Sequence, residues 1–336
     1  MQKSQVTIKQ IAQELGVSIS TVSRALQNHP RIGLRTKEQV FAVAKKLNYV
    51  PNPAAILLKK NRTSTIGVVL PQLAEEFFSQ AITGIEDVIS EKGYNVVISQ
   101  SRDSLERENR AIKSFISSRV DGVIASISAE TTQYYQFREL ENYGVPIVFF
   151  DRVPKDVRVN KVRGNIVEAA FESIAFLEAR GVRRIAILNG PASLEICDER
   201  LMGYWNALKQ LGLPVVQQYI KSTDLSREDT CKKMDELLAM KEPPEAVLCF
   251  NDYVALYAMQ QCKHRGIVPN KDISFVSFAN LPITAYLDNP PLASVEQFAY
   301  QMGEKAAQLL LQIIDAPDDA PLEPQDIVID TKLIVH

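Results

Sequence analysis

A cluster of small hydroxyl residues with one arginine lies near the N-terminus, and its residue types suit contact with nucleic acid. Serine and threonine side chains are short enough to let a backbone approach DNA, and they donate hydrogen bonds to phosphate oxygens. An arginine side chain can donate two hydrogen bonds to O6 and N7 of one guanine. The residues are Ser18, Ile19, Ser20, Thr21, Ser23 and Arg24. We interpret this segment as a candidate base-reading surface.

A second set of polar side chains follows apolar segments later in the chain. Asp151 and Asn251 each come directly after a predicted strand, and Arg200 lies in the first turns of a predicted helix. A guanidinium offers a rigid set of donors, and carboxylate and amide oxygens accept hydrogen bonds from hydroxyl groups, so the set indicates small-molecule binding. The sequence has no G-x-G fingerprint, P-loop or G-x-S-x-G elbow. We therefore expect no enzymatic activity and no cofactor.

The N-terminal hydroxyl residues are positioned by apolar spacings typical of short helices. A first helix, capped by Thr7, has its apolar stripe at Ile8, Ile11, Ala12 and Leu15. Gly16 suits the left-handed position that ends it, and Ser18 can cap a second helix over about Ile19–Leu26. A third helix is predicted from about Thr36. This pattern predicts a helix-turn-helix whose second helix enters the major groove, the alternative being an ordinary three-helix bundle with a solvated polar face.

Basic residues are concentrated in the first 62 residues, although the whole chain has a formal net charge of -2. That segment has eleven lysine and arginine residues against two glutamates, a balance of +9. The remaining residues have 27 basic and 38 acidic side chains, a balance of -11. A basic head on an acidic body indicates a polyanionic partner for the head alone.

Beyond Thr63-Ser64-Thr65 the chain alternates apolar strand patterns with amphipathic helix patterns. The predicted strands are 66–70, 95–99, 122–125, 145–150, 184–188, 215–220, 246–250, 273–278 and 327–335. Such alternation indicates parallel sheets covered by helices on both faces. The elements form two series, so we expect two doubly wound lobes with a ligand cleft beyond the carboxyl ends of the strands.

The N-terminal motifs resemble the head of the lactose-repressor (LacI/GalR) family. They run from Thr7 to Ala12, from Gly16 to Leu26 and from Leu47 to Asn52, and the similarity continues through most of the chain. The resemblance implies that Ile19, Ser20 and Arg24 read bases. It implies phosphate contacts for Ser18, Thr21 and Ser23, and it adds Thr7 and Arg31 to the DNA-binding set.

The segment from Pro51 to Lys60 resembles the hinge helix of the same family. The resemblance implies that two such helices pair in the minor groove, where Leu58 opens a base step, Ala55 allows close approach and Asn52 contacts DNA. Insertion of an apolar wedge costs a few kcal/mol of unstacking and kinks the duplex. In the alternative, Ile56, Leu57 and Leu58 simply pack on the body.

The implied fold is an N-terminal all-α helix-turn-helix head followed by an α/β, periplasmic-binding-protein-like core of two doubly wound parallel-sheet lobes. We assign residues 1–50 to the head, 51–62 to the hinge helix and linker, and 63–336 to the effector-binding and dimerisation core. Lobe 1 is expected at about 63–161 and 293–324, with a crossover near Ser294–Gln297. Lobe 2 is expected at about 162–292 and 325–336.

The resemblance also implies an effector-binding set, which lies in the lobes. Its members are Phe78, Ser126, Asp151, Arg200, Asn251 and Phe278. Several alternatives stay open: Asp252 caps its helix, Asp151 pairs with Arg152, and Phe78 belongs to the core. Ala279 stands where the family commonly has a carboxylate that grips a sugar ring, which argues against a plain monosaccharide unless Asn280 compensates.

These features together predict a DNA-binding transcriptional repressor whose operator affinity is modulated by a small, carbohydrate-like effector. We expect a homodimer on a pseudo-palindromic operator, because paired heads match symmetric half-sites. The four cysteines and three histidines have no metal-ligand spacing, so the thiols are expected to be buried and no metal site is predicted. No signal-peptide or membrane-spanning pattern is present, so a cytoplasmic location is expected. A periplasmic solute receptor would explain only the lobes, and an α/β enzyme would not explain the head.

Overall fold

The computed structural model describes residues 6–47, 49, 62–155, 157–317 and 323–336. The chain divides into two compact units, residues 1–63 and residues 64–336. The predicted boundary between linker and core, at residues 62 and 63, lies within one residue of this division. No helix among the described residues is both long enough and apolar enough to cross a membrane.

The described residues of the first unit form three short helices around a small apolar core. Helix α1 spans Ile8–Leu15, α2 spans Ile19–Leu26 and α3 spans Leu34–Lys46. Their buried residues are Ile11, Ala12, Val22, Ala25, Val40 and Ala44. The third helix begins two residues before the predicted start, with Gly33 as an N-cap that has no side chain to bond the first turn.

The second unit alternates strands with helices. Its strands are β1 (Thr65–Leu70), β2 (Asn95–Gln100), β3 (Gly122–Ala125), β4 (Ile147–Phe150), β5 (Lys161–Gly164), β6 (Ile185–Asn189), β7 (Ile220–Ser222), β8 (Ala246–Cys249), β9 (Ser274–Phe278), β10 (Ala293–Glu296), β11 (Asp326–Ile329) and β12 (Lys332–Val335). Its helices are α4 (Glu76–Glu91), α5 (Leu105–Ser117), α6 (Tyr135–Asn142), α7 (Ile166–Glu178), α8 (Glu195–Gln210), α9 (Arg227–Leu238), α10 (Asp252–His264) and α11 (Ala299–Asp315).

The strands form two six-stranded sheets, which define two lobes. The first sheet has the order β11-β5-β4-β3-β1-β2 and every neighbouring pair in it is parallel. The second has the order β12-β10-β9-β8-β6-β7 and is parallel except for the β10–β12 pair. The central strands are buried, as expected for sheets with helices on both faces. The predicted fold class is therefore confirmed.

The strand pairing corrects the predicted lobe boundaries. Strand β10 lies in the second sheet, so the chain returns to the first lobe only after residue 296, and not at residue 293. Strand β5 extends the first lobe to Gly164. The predicted strand 327–335 is two strands: β11 pairs with β5 in the first sheet, and β12 pairs with β10 in the second. Residues 330 and 331 lie in neither strand, and the chain passes from the first sheet to the second between them.

One predicted strand differs in kind. Residues 215–220 contain a short 3-10 turn over Gln217–Tyr219, and strand β7 follows at Ile220–Ser222. The Tyr219 side chain is buried and its hydroxyl donates to the carbonyl of Glu242, which draws the segment into a turn. The apolar pattern predicted an element here, but not its conformation.

Candidate functional sites

Helix α2 presents the N-terminal hydroxyl residues on a solvent-facing side of the first unit. Val22 and Ala25 are buried against the neighbouring helices, and this fixes the rotation of the helix. On the other side Ile19 is 49% exposed, and Ser20 and Arg24 are also exposed. An apolar side chain held half in solvent suits contact with a base edge such as a thymine methyl group.

The turn before α2 is ordered by its own hydroxyl groups. Gly16 adopts the left-handed conformation at a φ of 64°, and the Ser18 hydroxyl accepts a hydrogen bond from the Thr21 amide at 3.1 Å. Ser18 Oγ also lies 2.8 Å from both Ser20 Oγ and Thr21 Oγ1. The predicted cap is thus present, and the hydroxyl groups that we expect at phosphates are already arranged beside one another.

Of the remaining predicted DNA contacts, three lie among the described residues and three do not. Thr7 is exposed at the start of α1, where its amide donates to Gln10 Oε1 at 2.7 Å. Arg31 is exposed and Ser23 is half-buried. The hinge residues Asn52, Ala55 and Leu58 lie outside the described residues, so their predicted roles stay predictions.

A cleft between the two lobes of the second unit brings together most of the predicted effector contacts. It is lined by Glu75, Phe77, Phe78, Asp151, Arg152, Ile196, Arg200, Phe250, Asn251, Tyr253, Ala279, Leu281 and Gln297. The lining residues lie just after strands β4, β8, β9 and β10 and at the starts of helices α4, α8 and α10, which follow β1, β6 and β8. This is where open α/β sheets bind their ligands.

Arg200 is the most unusual side chain of the cleft. It is 2% exposed, and its guanidinium carbon lies 4.2 Å from the ring centroid of Phe250 and 4.4 Å from that of Phe278. Its Nε has no hydrogen-bond partner, although Nη1 donates to the Ile196 carbonyl at 3.4 Å. Burial lowers the pKa of Arg200 to about 10. A buried donor without a partner is costly, so the site is suited to a ligand that supplies an acceptor.

Asp151 lies close to Arg200 but forms no ion pair with its sequence neighbour. The Arg152 guanidinium instead donates to Asp103 Oδ1 at 2.7 Å, so the alternative of an Asp151–Arg152 pair is wrong. Burial raises the pKa of Asp151 to about 6, and the nearby Arg152 and Arg200 act in the opposite direction. The backbone of Asp151 is left-handed, with φ at 58°. The carboxylate therefore remains available to accept hydrogen bonds from a ligand.

The helix-capping role suggested for Asp252 belongs to its neighbour Asn251. Asn251 is the N-cap of α10, and its Oδ1 accepts the Val254 amide at 3.0 Å. Asp252 does not cap the helix, as the alternative held; it is fully buried and accepts from Ser294 Oγ at 2.7 Å, from the Leu281 amide at 2.6 Å and from Ser277 Oγ. Asp252 thus fixes the cleft wall, and the Asn251 amide group lines the cleft.

Two predicted effector contacts, Ser126 and Phe278, do not line the cleft. The Ser126 side chain is fully buried, and its hydroxyl lies 3.4 Å from the Arg152 amide, which donates to it. Phe278 is fully buried and touches the guanidinium of Arg200. Ser126 directly follows β3 and Phe278 ends β9, and both side chains are buried within their lobes. Phe78 is 1% exposed and therefore belongs to the core, and it also forms part of the cleft wall.

Asn280 does not replace the carboxylate that the family commonly has at the position of Ala279. Asn280 Nδ2 donates to Glu296 Oε2 at 2.9 Å, so the amide is engaged within the second lobe. Both Ala279 and Asn280 are left-handed, with φ at 91° and 46°. The second lobe therefore offers a methyl group to the cleft at this position.

Several lining residues were missed by sequence reasoning, namely Glu75, Ile196, Tyr253, Leu281 and Gln297. Gln297 comes directly after β10, so the strand-end rule that identified Asp151 would have found it, whereas Glu75 lies five residues beyond β1 as the N-cap of α4. Burial raises the pKa of Glu75, and Arg152 acts against that rise. No group of metal-binding side chains occurs among the described residues. Of the four free thiols, Cys197, Cys249 and Cys262 are buried and Cys231 is partly exposed.

Comparisons with known proteins match both units. Residues 63–336 match the family described as periplasmic binding proteins and sugar binding domain of LacI family, and residues 7–52 match bacterial regulatory proteins, lacI family. The chain is 33% identical over 310 residues to the transcriptional repressor CytR of Escherichia coli K12, covering 92% of this chain and 90% of CytR. It is 31% identical to the repressor PurR of Vibrio cholerae, covering 92% of this chain and 91% of PurR.

Solved structures agree with these relatives. A lac repressor dimer bound to operator and an anti-inducer superposes with a TM-score of 0.85 at 25% identity, over 98% of both chains. The complex of the transcriptional regulator CelR with cellobiose superposes with a TM-score of 0.74 at 27% identity, over 98% of this chain and 99% of that one. The chain therefore belongs to the LacI family of bacterial regulatory proteins.

Proposed function

We propose that this protein is a transcriptional repressor that binds a pseudo-palindromic operator as a homodimer and whose operator affinity is set by a small effector in the interlobe cleft. The observation that carries the proposal is the exposed face of α2, where Ile19, Ser20 and Arg24 stand on a folded, basic helix-turn-helix. Operator DNA lies in the bacterial cytoplasm, and we place the protein there.

The individual DNA contacts follow from the chemistry of this face. Arg24 is assigned to a guanine, with Ile19 and Ser20 on neighbouring base edges. Ser18, Thr21, Ser23, Thr7 and Arg31 are assigned to the phosphate backbone, where short hydroxyl groups and a cation fix the register. The hinge residues Asn52, Ala55 and Leu58 are assigned to the minor groove.

For the effector, the direct contacts that we propose are Arg200, Asp151, Asn251 and Phe78. The unpartnered Nε of Arg200 calls for an acceptor, and the carboxylate of Asp151 calls for hydroxyl or amine donors. The lining holds two acids, Glu75 and Asp151, beside two arginines, of which Arg152 is already paired. This balance suits an uncharged, carbohydrate-like ligand rather than a dianionic phosphate. The structure of CelR with cellobiose supports a carbohydrate-like ligand as the first class to test.

The effector acts by preferring one arrangement of the lobes. A ligand held by Arg200 and Asn251 from the second lobe and by Asp151 and Phe78 from the first binds best when the lobes are closed. Such a ligand shifts the population toward the closed state by as much as its affinity differs between the two. By linkage, operator and effector then change each other's affinity by the same factor.

DNA reading is tested by fluorescence anisotropy with the upstream DNA of the protein's own gene and with a scrambled duplex. Arg24→Ala should cost about 1–3 kcal/mol on the operator and little on the scrambled duplex, because a guanine contact carries sequence information. Arg35→Ala, an exposed arginine at the start of α3, is the control and should affect both duplexes alike. The wild-type affinity should fall steeply with salt. Equal affinity for both duplexes in the wild type would refute a sequence-specific repressor.

A further inference from the structure

The cleft is bordered on one side by polar contacts that join the lobes directly. Lys155, in the segment between β4 and β5 of the first lobe, lies 2.6 Å from Asp198 Oδ2 through its Nζ and also donates to the Ala192 carbonyl at 3.0 Å. Arg163 on β5 lies 2.9 Å from Glu199 Oε1 through Nη1. Ser193 Oγ donates to the Ala129 carbonyl at 2.5 Å. In each pair one residue belongs to each lobe.

The two acidic partners immediately precede the proposed effector contact on the same helix. Asp198, Glu199 and Arg200 are consecutive residues of α8, so an ion pair that moves this turn of the helix moves the guanidinium with it. Arg200 forms no ion pair with the residues that the structure describes, and its guanidinium contacts the rings of Phe250 and Phe278 and donates one long hydrogen bond. Its distance from Asp151 across the cleft therefore depends on how α8 lies against the first lobe.

The first-lobe partners are themselves fixed. Asp326 on β11 binds Arg163 with its carboxylate at 2.9 and 3.2 Å, which leaves Nη1 directed to the second lobe. The Glu199 side chain is 16% exposed, so its pair with Arg163 is screened less than a surface pair. The opposite side of the cleft is held by apolar contact, where Tyr253 and Leu281 pack on the first-lobe core.

We propose that Lys155 and Arg163 clasp helix α8 through Asp198 and Glu199, and thereby position Arg200 opposite Asp151 and set the closure of the lobes. We call these four residues the α8 clasp. Each pair joins one lobe to the other, so an opening of the lobes that draws α8 away from β5 and from the segment after β4 would break it. The clasp is a set of positioning residues for the effector site, and in that respect it rests on the proposed function.

The test measures lobe closure in the full-length protein without effector or DNA. Spin labels are placed at the exposed positions Lys113 on α5 and Lys263 on α10, one in each lobe, in a Cys231→Ser background. Labelled chains are diluted with unlabelled protein so that distances within one chain dominate. The variant is Asp198→Asn with Glu199→Gln, which keeps the size of both side chains and leaves the Arg163–Asp326 pair intact.

We expect one narrow distance distribution in the wild type and a broad one in the double variant, with a new component displaced by more than about 2 Å. The closed-to-open ratio should fall about fivefold or more, as expected for two partly exposed pairs. Glu236→Gln is the matched control, because Glu236 binds Lys221 and Lys233 within the second lobe alone, and its distribution should match the wild type. The charge swap Lys155→Asp with Asp198→Lys reverses the ion pair and keeps its attraction, so this variant should give the narrow distribution of the wild type. A merely structural effect of replacing Asp198 would not do so.

Salt provides a test that needs no variant. Raising the salt from 0.15 M to 1 M shortens the screening length from about 8 Å to about 3 Å and should broaden the wild-type distribution toward that of the variant. An unchanged distribution in the double variant, or an equal change in Glu236→Gln, would overturn the clasp. Neither result touches DNA binding, so failure of the clasp and failure of the repressor assignment are distinguishable.

Discussion

At the scale of single residues, Arg200 shows how a binding site differs from a core. A guanidinium that is 2% exposed, has an unpartnered Nε and lies against two aromatic rings is a poor arrangement for stability alone. The rings of Phe250 and Phe278 offset part of the desolvation, since cation–π contacts strengthen when water is excluded. The remaining unmet donor indicates a side chain that is held ready for a ligand.

Arg200→Met separates ligand binding from stability. We expect the melting temperature without ligand to change little, because an apolar stem remains against both rings while an incompletely paired buried charge is removed. The stabilisation by effector should disappear, whereas the wild type should gain about 2.7 kcal/mol at a ligand concentration of 100 times Kd. Differential scanning calorimetry with a panel of sugars, sugar phosphates and nucleobases measures both quantities.

The control for that experiment is Arg265→Met, which removes an exposed arginine paired with Asp235 in the same lobe. Ligand stabilisation should persist in this variant. If Arg200→Met kept the full ligand-induced shift, the guanidinium would not contact the effector and the cleft assignment would need a different anchor.

At the scale of elements, helix α8 combines three tasks in one short stretch of sequence. Arg200 faces the cleft, Gly203 meets helix α7, and the Tyr204 hydroxyl donates to the Ile185 carbonyl at 2.7 Å. A Cβ on Gly203 would lie 2.1 Å from the Val167 carbonyl oxygen. The glycine is therefore required by the close approach of α7 and α8. Because Arg200 is on the same helix, this contact also fixes the position of Arg200 relative to the cleft.

Gly203→Ala should destabilise the second lobe because two backbones would have to separate. We expect a loss of about 1–3 kcal/mol, the range for overpacking in a core, measured by urea unfolding followed through far-UV circular dichroism. Asn206→Ala, an exposed position one turn later in the same helix, should be within about 0.5 kcal/mol of the wild type. Equal stability of Gly203→Ala and the wild type would show that α7 and α8 can move apart freely.

The same elements show how far sequence alone could lead. Apolar spacing predicted α2, α8 and seven of the twelve described strands, because helix and strand periods are local properties. It predicted neither β5 nor β10 as a strand. It did not predict that β11 and β12 belong to different sheets, since periodicity does not reveal which edge a strand will join. Residue chemistry at strand ends and at a helix start indicated Asp151 and Arg200, whereas the family resemblance put Ser126 in the cleft as well. The structure differs at Ser126 because the direction of that side chain is not visible in one sequence.

At the scale of the whole molecule, charge and architecture divide the tasks between two units. The basic balance of the first 62 residues and the acidic balance of the rest mean that only the head is attracted to DNA at long range. In the proposed function, an effector bound within the lobes changes operator affinity through the segment that joins the units. The resemblance to the family hinge places that segment at residues 51–62, with Leu58 as its wedge.

Leu58→Ala tests whether the joining segment takes part in DNA binding. Loss of the wedge should remove the kink and the contacts that the kink permits, so we expect weaker operator binding, by about tenfold or more, and a smaller bend angle. Binding is measured by anisotropy, and bending by energy transfer between dyes at the operator ends. Leu57→Ala is the control. In the alternative given above, in which residues 56–58 pack on the body, truncating Leu57 lowers the stability of the protein and leaves the bend angle of the DNA unchanged. Effector-induced stabilisation should be equal in both variants, since the cleft keeps all its contacts. An unchanged bend in Leu58→Ala would assign DNA recognition to the helix-turn-helix alone.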